Sequence, residues 1–314
     1  MNLDDINFIA NEDYYVAGID EAGRGPLAGP VVASCVLFKR GEQIEGINDS
    51  KKLSEKKRNH LYDIIREKAL AVGIGVVHER EIDRINILSA TILAMKKAFE
   101  NMNREADVLL IDGNNISIGH KNEKCIIKGD TKSLSIASAS IIAKVTRDRF
   151  MYEYDKIFPD FSFKTHKGYG TLMHRELIDK FKPSIVHRMS FAPMKNKYDS
   201  SFLYSYIRRM PTIYIASLLI KNYHTIISIF LDDILKDTIL SVGKNNILSF
   251  DIVLYNTKVS HIDIENIDEK LCLILQDFEQ NSVFKELEIG VILISKKNGK
   301  IDINKKENVK TIKI

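Results

Sequence analysis

The chain has 314 residues, 45% of them apolar and 28% charged, an ordinary soluble composition that gives no support to a disordered chain. Its formal net charge of +4 is too small to announce a nucleic-acid binder, so local pattern has to decide. No apolar run reaches the ~18 residues of a membrane span, and the opening Met1-Asn2-Leu3-Asp4-Asp5 lacks the basic and apolar regions of a signal peptide; the expectation is a cytoplasmic protein with no membrane partner.

The length fits an α/β domain of about 200 residues plus a smaller second unit. Cys35, Cys125 and Cys272 are far apart, in neither a zinc nor a disulfide spacing, and are expected to be buried thiols.

Residues 14–20 and 31–38 are β-branched, apolar runs and read as neighbouring strands. Between them stand Asp20 and Glu21, followed by the turn Gly23-Arg24-Gly25-Pro26. Carboxylates at a strand end suit a divalent cation, and an arginine between glycines suits a phosphate or sugar; a solvated surface turn is the other reading. The polar loop 48–54 follows, with Lys51 as a candidate phosphate contact or a solvated lysine. Ser54-Glu55 suits a helix start with Leu61, Ile64 and Ile65 on one face.

Residues 72–78 read as a third strand and 88–102 as a helix with its apolar positions at helical spacing. His78, Glu79 and Glu81 read as a polar junction rather than a metal set. The run 107–112 is a fully apolar strand that ends in Asp112 and a glycine, and 124–130 repeats strand, glycine and carboxylate at Asp130. Strands buried on both faces read as continuous apolar runs, and ligands of α/β sheets gather at strand ends, so Asp112 can meet Asp20.

Ser133 is expected to cap a long helix rich in small residues. Lys144 and Arg147 are neighbours on it, as surface residues or as a basic face. In His166-Lys167-Gly168-Tyr169-Gly170-Thr171 a ring stands between glycines beside a cation, suited to stacking on a sugar or base, or else serving as a turn tyrosine. A helix over 171–181 and a turn at 187–193 follow.

From residue 198 the character changes. Residues 203–235 are helical in pattern, broken at Pro211, with Asp232-Asp233 a solvated helix end. Stretches 247–255 and 288–295 read as strands flanking a helix at 267–278, and Asn298-Gly299 is a hairpin turn leading to a strand over 300–303. The division expected is 1–195 and 196–314, the second part a small α+β unit.

Together Asp20, Glu21, Asp112 and Asp130 supply oxygen ligands for hard cations, with Mg²⁺ the default and Mn²⁺ a natural substitute. Two such ions roughly 4 Å apart can clamp the attacking and leaving oxygens of a phosphoryl displacement. Neighbours on a regular strand point to opposite faces, so Asp20 and Glu21 are expected to cooperate only at a frayed or bulged strand end, or with Glu21 acting through its carbonyl.

Six stretches in order carry a family resemblance: Gly-Ile-Asp-Glu-Ala-Gly-Arg-Gly-Pro at 18–26, Asn-Asp-Ser-Lys-Lys-Leu-Ser at 48–54, Ile-Asp-Gly-Asn at 111–114, Lys-Gly-Asp at 128–130, Ala-Ser-Ile-Ile-Ala-Lys-Val-Thr-Arg-Asp at 139–148 and His-Lys-Gly-Tyr-Gly-Thr at 166–171. Over residues 12–195 the chain resembles ribonuclease HII. The resemblance implies an RNase H-like α/β fold with a mixed central sheet flanked by helices. It implies cleavage of the RNA strand of RNA·DNA hybrids and of duplex DNA holding single ribonucleotides, leaving a 3′-hydroxyl and a 5′-phosphate. By it Asp20, Glu21, Asp112 and Asp130 bind the metal, Gly23, Arg24 and Gly25 read the 2′-hydroxyl, and Tyr169 stacks on the following deoxyribose. Residues 196–314 have no counterpart in the resemblance; duplex binding, a protein partner such as a replication clamp, and bracing are the roles open to them. A non-catalytic nucleic-acid binder is the competing class, expected to have lost a carboxylate; none is lost here.

Overall fold

The computed structural model describes residues 5, 14–39, 41–47, 53–197, 221 and the strand residues 225–230, 238–242, 248–255, 286–297 and 300–313. Lys51, Lys52, Cys272, Asp232-Asp233 and the helix expected at 267–278 lie outside the described residues, as does nearly all of 203–224.

The chain divides into two units, one of residues 1–152 and 160–198, the other of 153–159 and 199–314. In the first, strands β1 (Val16–Ala22), β2 (Val31–Leu37), β3 (Ala71–Val77), β4 (Val108–Asp112) and β5 (Glu123–Ile126) form one sheet in the order β3-β2-β1-β4-β5. The β1–β2 and β2–β3 pairs are antiparallel, β1–β4 and β4–β5 parallel. This is the mixed central sheet that the resemblance implies, built from the strands that the apolar runs announce. Near-continuous burial of β1, β2 and β4 follows from helices on both faces.

Helix α1 (Glu55–Lys68) starts at Ser54, whose hydroxyl accepts from the Lys57 amide. After α2 (Glu79–Ile85), Asn86 turns the chain at positive φ and caps α3 (Ile87–Met102). Helix α3 lies against Ala17, Ile19, Val31, Ala33 and Cys35 through Ala90, Ala94 and Ala98. The long α4 (Leu134–Ile157) covers the other face with α1, Ile141, Ile142 and Val145 meeting Val36 and Leu61. As expected, Ser133 caps α4, accepting from the Ile136 amide at 3.2 Å.

Contact between α4 and the sheet is so close at Gly18 that a β-carbon there would run into the backbone of Ser135 and Ile136. A glycine is the only residue that lets this helix sit where it does. The short α5 (Phe163–His166) and then α6 (Leu172–Phe181), capped by Thr171, complete the unit. Among the described residues no helix is long and apolar enough to cross a membrane.

In the second unit β6 (Thr225–Phe230), β7 (Thr238–Val242), β8 (Leu248–Tyr255), β9 (Glu286–Lys297) and β10 (Lys300–Lys313) form a sheet in chain order. All neighbours are antiparallel except β8 and β9. Lys297 pairs with Lys300 at the junction of β9 and β10, while Asn298-Gly299, read from the sequence as a hairpin turn, lies outside the described residues. Two expectations are corrected. Residues 225–230 form a strand within the stretch read as helical, because its Thr, Ile and Phe content also suits a half-buried strand and short apolar runs do not separate the two by period. Strand β10 runs to Lys313 rather than stopping near 303, its pairing with β9 continuing past an irregularity between Lys306 and Lys310.

Candidate active site

Asp20 sits near the end of β1, in the middle of the sheet, and is only 6% exposed. The parallel register aligns Gly18 with Leu110 and Ile19 with Ile111, so Asp20 and Asp112 follow side by side at the ends of adjacent strands. Alternation puts both on the α4 face, Asp20 in line with Gly18 and Asp112 in line with Val108 and Leu110. Glu21 has the parity of Ala17 and Ile19 and belongs to the α3 side.

The frayed or bulged strand end expected for Asp20 and Glu21 is not what forms on the β2 side. Asp20, Glu21 and Ala22 pair in regular register with Ser34, Ala33 and Val32. Pairing stops instead on the β4 side, after Ile19 and Ile111, and that parting of two strands is where the carboxylates stand. It is also where open α/β sheets take their ligands.

Each acid is held by its neighbours. Asp20 accepts from the Glu21 amide at 2.7 Å and has a hydrogen bond with the Ser140 hydroxyl of α4. Asp112 accepts from the Gly129 amide at 2.6 Å, which ties the end of β4 to the turn that follows β5. Asp130 is the next residue, in a single 3-10 turn over Gly129–Thr131. Glu21 pairs with Arg24 at 3.5 Å.

Burial raises the carboxyl of Asp20 well above its ordinary range, and the negative charges of Glu21 and Asp112 raise it further. Glu21 is also raised by burial, with the Arg24 guanidinium opposing and Asp112 reinforcing the shift. Three acids therefore interact across the strand ends. Asp130 follows Gly129, the residue whose amide binds Asp112. Among the described residues no three His, Cys, Asp or Glu side chains stand around a common point at ligating separations. The chemistry of Asp20, Glu21 and Asp112 nonetheless suits a hard divalent cation: carboxylate oxygens at adjacent strand ends, Asp20 buried, whose mutual repulsion a cation would offset.

The loop after β1 turns at Gly23, whose φ is +99° and where a β-carbon would overlap the Arg147 side chain. The Leu27 amide donates to Gly168 O at 2.7 Å, which joins this loop to the one bearing Tyr169. Tyr169 is 44% exposed and presents its ring near the Arg147 guanidinium, 5.7 Å from the ring centroid. The Gly23–Gly25 turn and the Tyr169 loop are thus tied together through the backbone.

Behind Tyr169 lies a fixed chain of neutral imidazoles. Ser184 donates through its amide to His187 Nδ1, His187 Nε2 donates to His174 Nε2, and His174 Nδ1 donates to the Tyr169 carbonyl. A carbonyl can only accept and an amide only donate, so these tautomers are determined. Burial lowers His174 to about 4 and His187 well below the ordinary histidine value.

Several residues take other places than their sequence suggested. Arg147 is neither a surface residue nor part of a basic face; it is fully buried, and its guanidinium donates to Ala28 O, Pro30 O and Lys167 O. Lys144 pairs with Asp148 at 2.6 Å. Cys35 is buried as expected, but Cys125 is exposed on β5, which among the described residues is the last strand of its sheet. His78 and Glu79 form a strand-to-helix junction, as expected. Ser140, Arg188, His174 and His187 gave no signal of their own: only the first lies in a stretch whose small residues hinted at close packing.

The model of the ribonuclease HII family matches residues 17–194, more than half of the chain. The chain belongs to the ribonuclease HII family. Ribonuclease HII of Clostridioides difficile (strain 630) is 55% identical over 194 residues, covering 60% of this chain and 76% of that one. The ribonuclease HII of Acetivibrio thermocellus is 54% identical over 176 residues, 56% of this chain and 69% of its own. In fold, the chain is similar to the ribonuclease H2 from Pyrococcus horikoshii OT3, with a TM-score of 0.51 and 23% identity over 58% of this chain and 95% of that one. Family membership makes this a ribonuclease H, a nuclease acting on the RNA strand of RNA·DNA hybrids. Residues 195–314 lie beyond the family match.

Proposed function

We propose that this ribonuclease HII, besides cutting the RNA of hybrids, incises 5′ of single ribonucleotides embedded in duplex DNA, leaving a 3′-hydroxyl and a 5′-phosphate. The observation that carries the reading is the placement of Asp20 and Asp112 side by side where β1 and β4 part, with the Gly23–Gly25 turn following directly and joined to the Tyr169 loop.

In this reading Asp20, Glu21, Asp112 and Asp130 hold Mg²⁺ or Mn²⁺. Bound as a pair, such ions supply the charge that an in-line phosphodiester hydrolysis needs on its attacking and leaving oxygens. The residues themselves do the rest. Gly129 orients the Asp112 carboxylate, and Ser140 and the Glu21 amide orient that of Asp20. Arg24 balances Glu21 until substrate arrives, and its half-exposed guanidinium then faces phosphate. Gly23 turns the chain at positive φ and Gly25 lets the sugar edge approach the backbone, where the 2′-hydroxyl marks RNA. Tyr169 offers its ring to the next deoxyribose. Residues 196–314 are proposed to serve the same duplex or a protein partner.

Asp112→Asn tests the assignment. It keeps an oxygen for the Gly129 amide and removes a charge, so the thermal midpoint should hold while Mg²⁺-dependent cleavage of a duplex with one ribonucleotide falls at least about a hundred-fold. Undiminished cleavage would remove Asp112 from the site.

A further inference from the structure

Two buried arginines converge on the loop between β1 and β2. Arg188 donates from Nε to Gly29 O at 2.9 Å, from Nη1 to Arg24 O at 2.9 Å and from Nη2 to Gly23 O at 2.6 Å. Arg147 donates to Pro30 O at 3.0 Å and Ala28 O at 3.1 Å, and with its remaining arm to Lys167 O at 3.0 Å in the tyrosine loop. Both are fully buried. Five of the six carbonyls belong to residues 23–30, and the sixth lies two positions before Tyr169.

Burying two guanidiniums near one another is costly, and the cost shows in Arg188, lowered to about 9 by burial and by Arg147 while Glu79 and Asp83 oppose the shift. A hydrophobic filling would be the cheaper way to support a loop. What the guanidinium supplies that an apolar chain does not is a rigid planar fork, which fixes the directions and separations of several carbonyls at once.

We infer that Arg147 and Arg188 are positioning residues that set the separation between the Gly23–Gly25 turn and the Tyr169 ring, and so tune discrimination between a single ribonucleotide and a continuous RNA strand. The inference rests on the substrate roles proposed above for that turn and that ring. A single embedded ribonucleotide offers one 2′-hydroxyl with a deoxyribose after it, so turn and ring have to meet both at one fixed spacing. A continuous hybrid offers a 2′-hydroxyl at every step, and a slipped register still finds one. Small displacements of positioning groups are amplified in rate, with about 1 Å costing up to about a hundred-fold.

The test compares kcat/KM of the full chain on two Mg²⁺ substrates, a DNA duplex with one ribonucleotide and a long RNA·DNA hybrid. Arg147→Lys and Arg188→Lys keep the charge and lose the fork. The single-ribonucleotide rate should fall about ten-fold more than the hybrid rate in each. Equal losses on both substrates would reduce the arginines to structural support and overturn the inference. Tyr169→Ala runs alongside. If it leaves the ratio of rates unchanged, the substrate role of the ring fails; if it shifts the ratio while neither arginine variant does, only the positioning role fails. Should the arginine variants lose a cooperative thermal transition, Gly168→Ala takes their place. Its β-carbon would lie 2.5 Å from Ala28 O and push the loops apart with both guanidiniums retained. The same shift in ratio is expected, and an unaltered ratio overturns the inference.

Discussion

Gly25 differs from the other glycines of its turn. No heavy atom lies within 4 Å of where its β-carbon would be, whereas at Gly23 the Arg147 side chain fills that space. Gly25→Ala should therefore leave the thermal midpoint unchanged and still lower cleavage at a single ribonucleotide, because the added methyl stands where a sugar would approach; a full cleavage rate would show that no ligand comes that close. A second residue-level expectation concerns the buried imidazoles. His174 is lowered to about 4 and His187 well below its ordinary value, chiefly by burial, while in the unfolded chain both titrate near 6.5. The unfolded state thus binds more protons between about 6.5 and 4. Stability should fall as pH drops through that window, with no contribution from these groups above it. Thermal midpoints from pH 7 to pH 5 should decline less steeply in His174→Gln than in the native chain.

Among the elements, α4 decides most of the site geometry. Its backbone rests on Gly18, its Ser140 reaches Asp20, and its Arg147 holds two loops. Gly18→Ala should cost on the order of 1–3 kcal/mol in unfolding free energy, as overpacking does, with cleavage falling too because Ser140 is lifted from Asp20. A stability loss with unchanged cleavage would separate the helix seat from the site. How much of this could be read in advance varies with the physics. Strands β1, β2 and β4 and the ends bearing Asp20 and Asp112 were legible, since runs of Val, Ile and Leu closed by an acid and a glycine have few other readings. The Ser54, Ser133 and Thr171 starts follow from capping chemistry. Arg147 was not legible: helical spacing beside Lys144 reads as surface, and only the folded loops reveal the three carbonyls it meets. The regular pairing of Glu21 with Ala33 was likewise hidden, because fraying depends on which neighbour strand ends first.

For the whole molecule, the proposed ligands, turn, ring and buried arginines all fall within the first unit, and the family match ends at residue 194. A chain ended after residue 197 should therefore still incise a duplex carrying one ribonucleotide. A loss of incision greater than any loss of folded protein would assign residues 198–314 to substrate binding. The sheet of β6 to β10 was only half foreseen, since β8, β9 and the Asn298-Gly299 turn carry strand and hairpin signals while β6 sits in a run of mixed period. In the first sheet the strand carrying Asp20 and the strand carrying Asp112 are paired directly although β2, α1, β3, α2 and α3 intervene in the chain, so this contact closes a long loop at an entropy cost that grows with its length. A polypeptide in which that pairing has not formed would hold Asp20 and Asp112 apart, and with them the charge proposed to bind the metal.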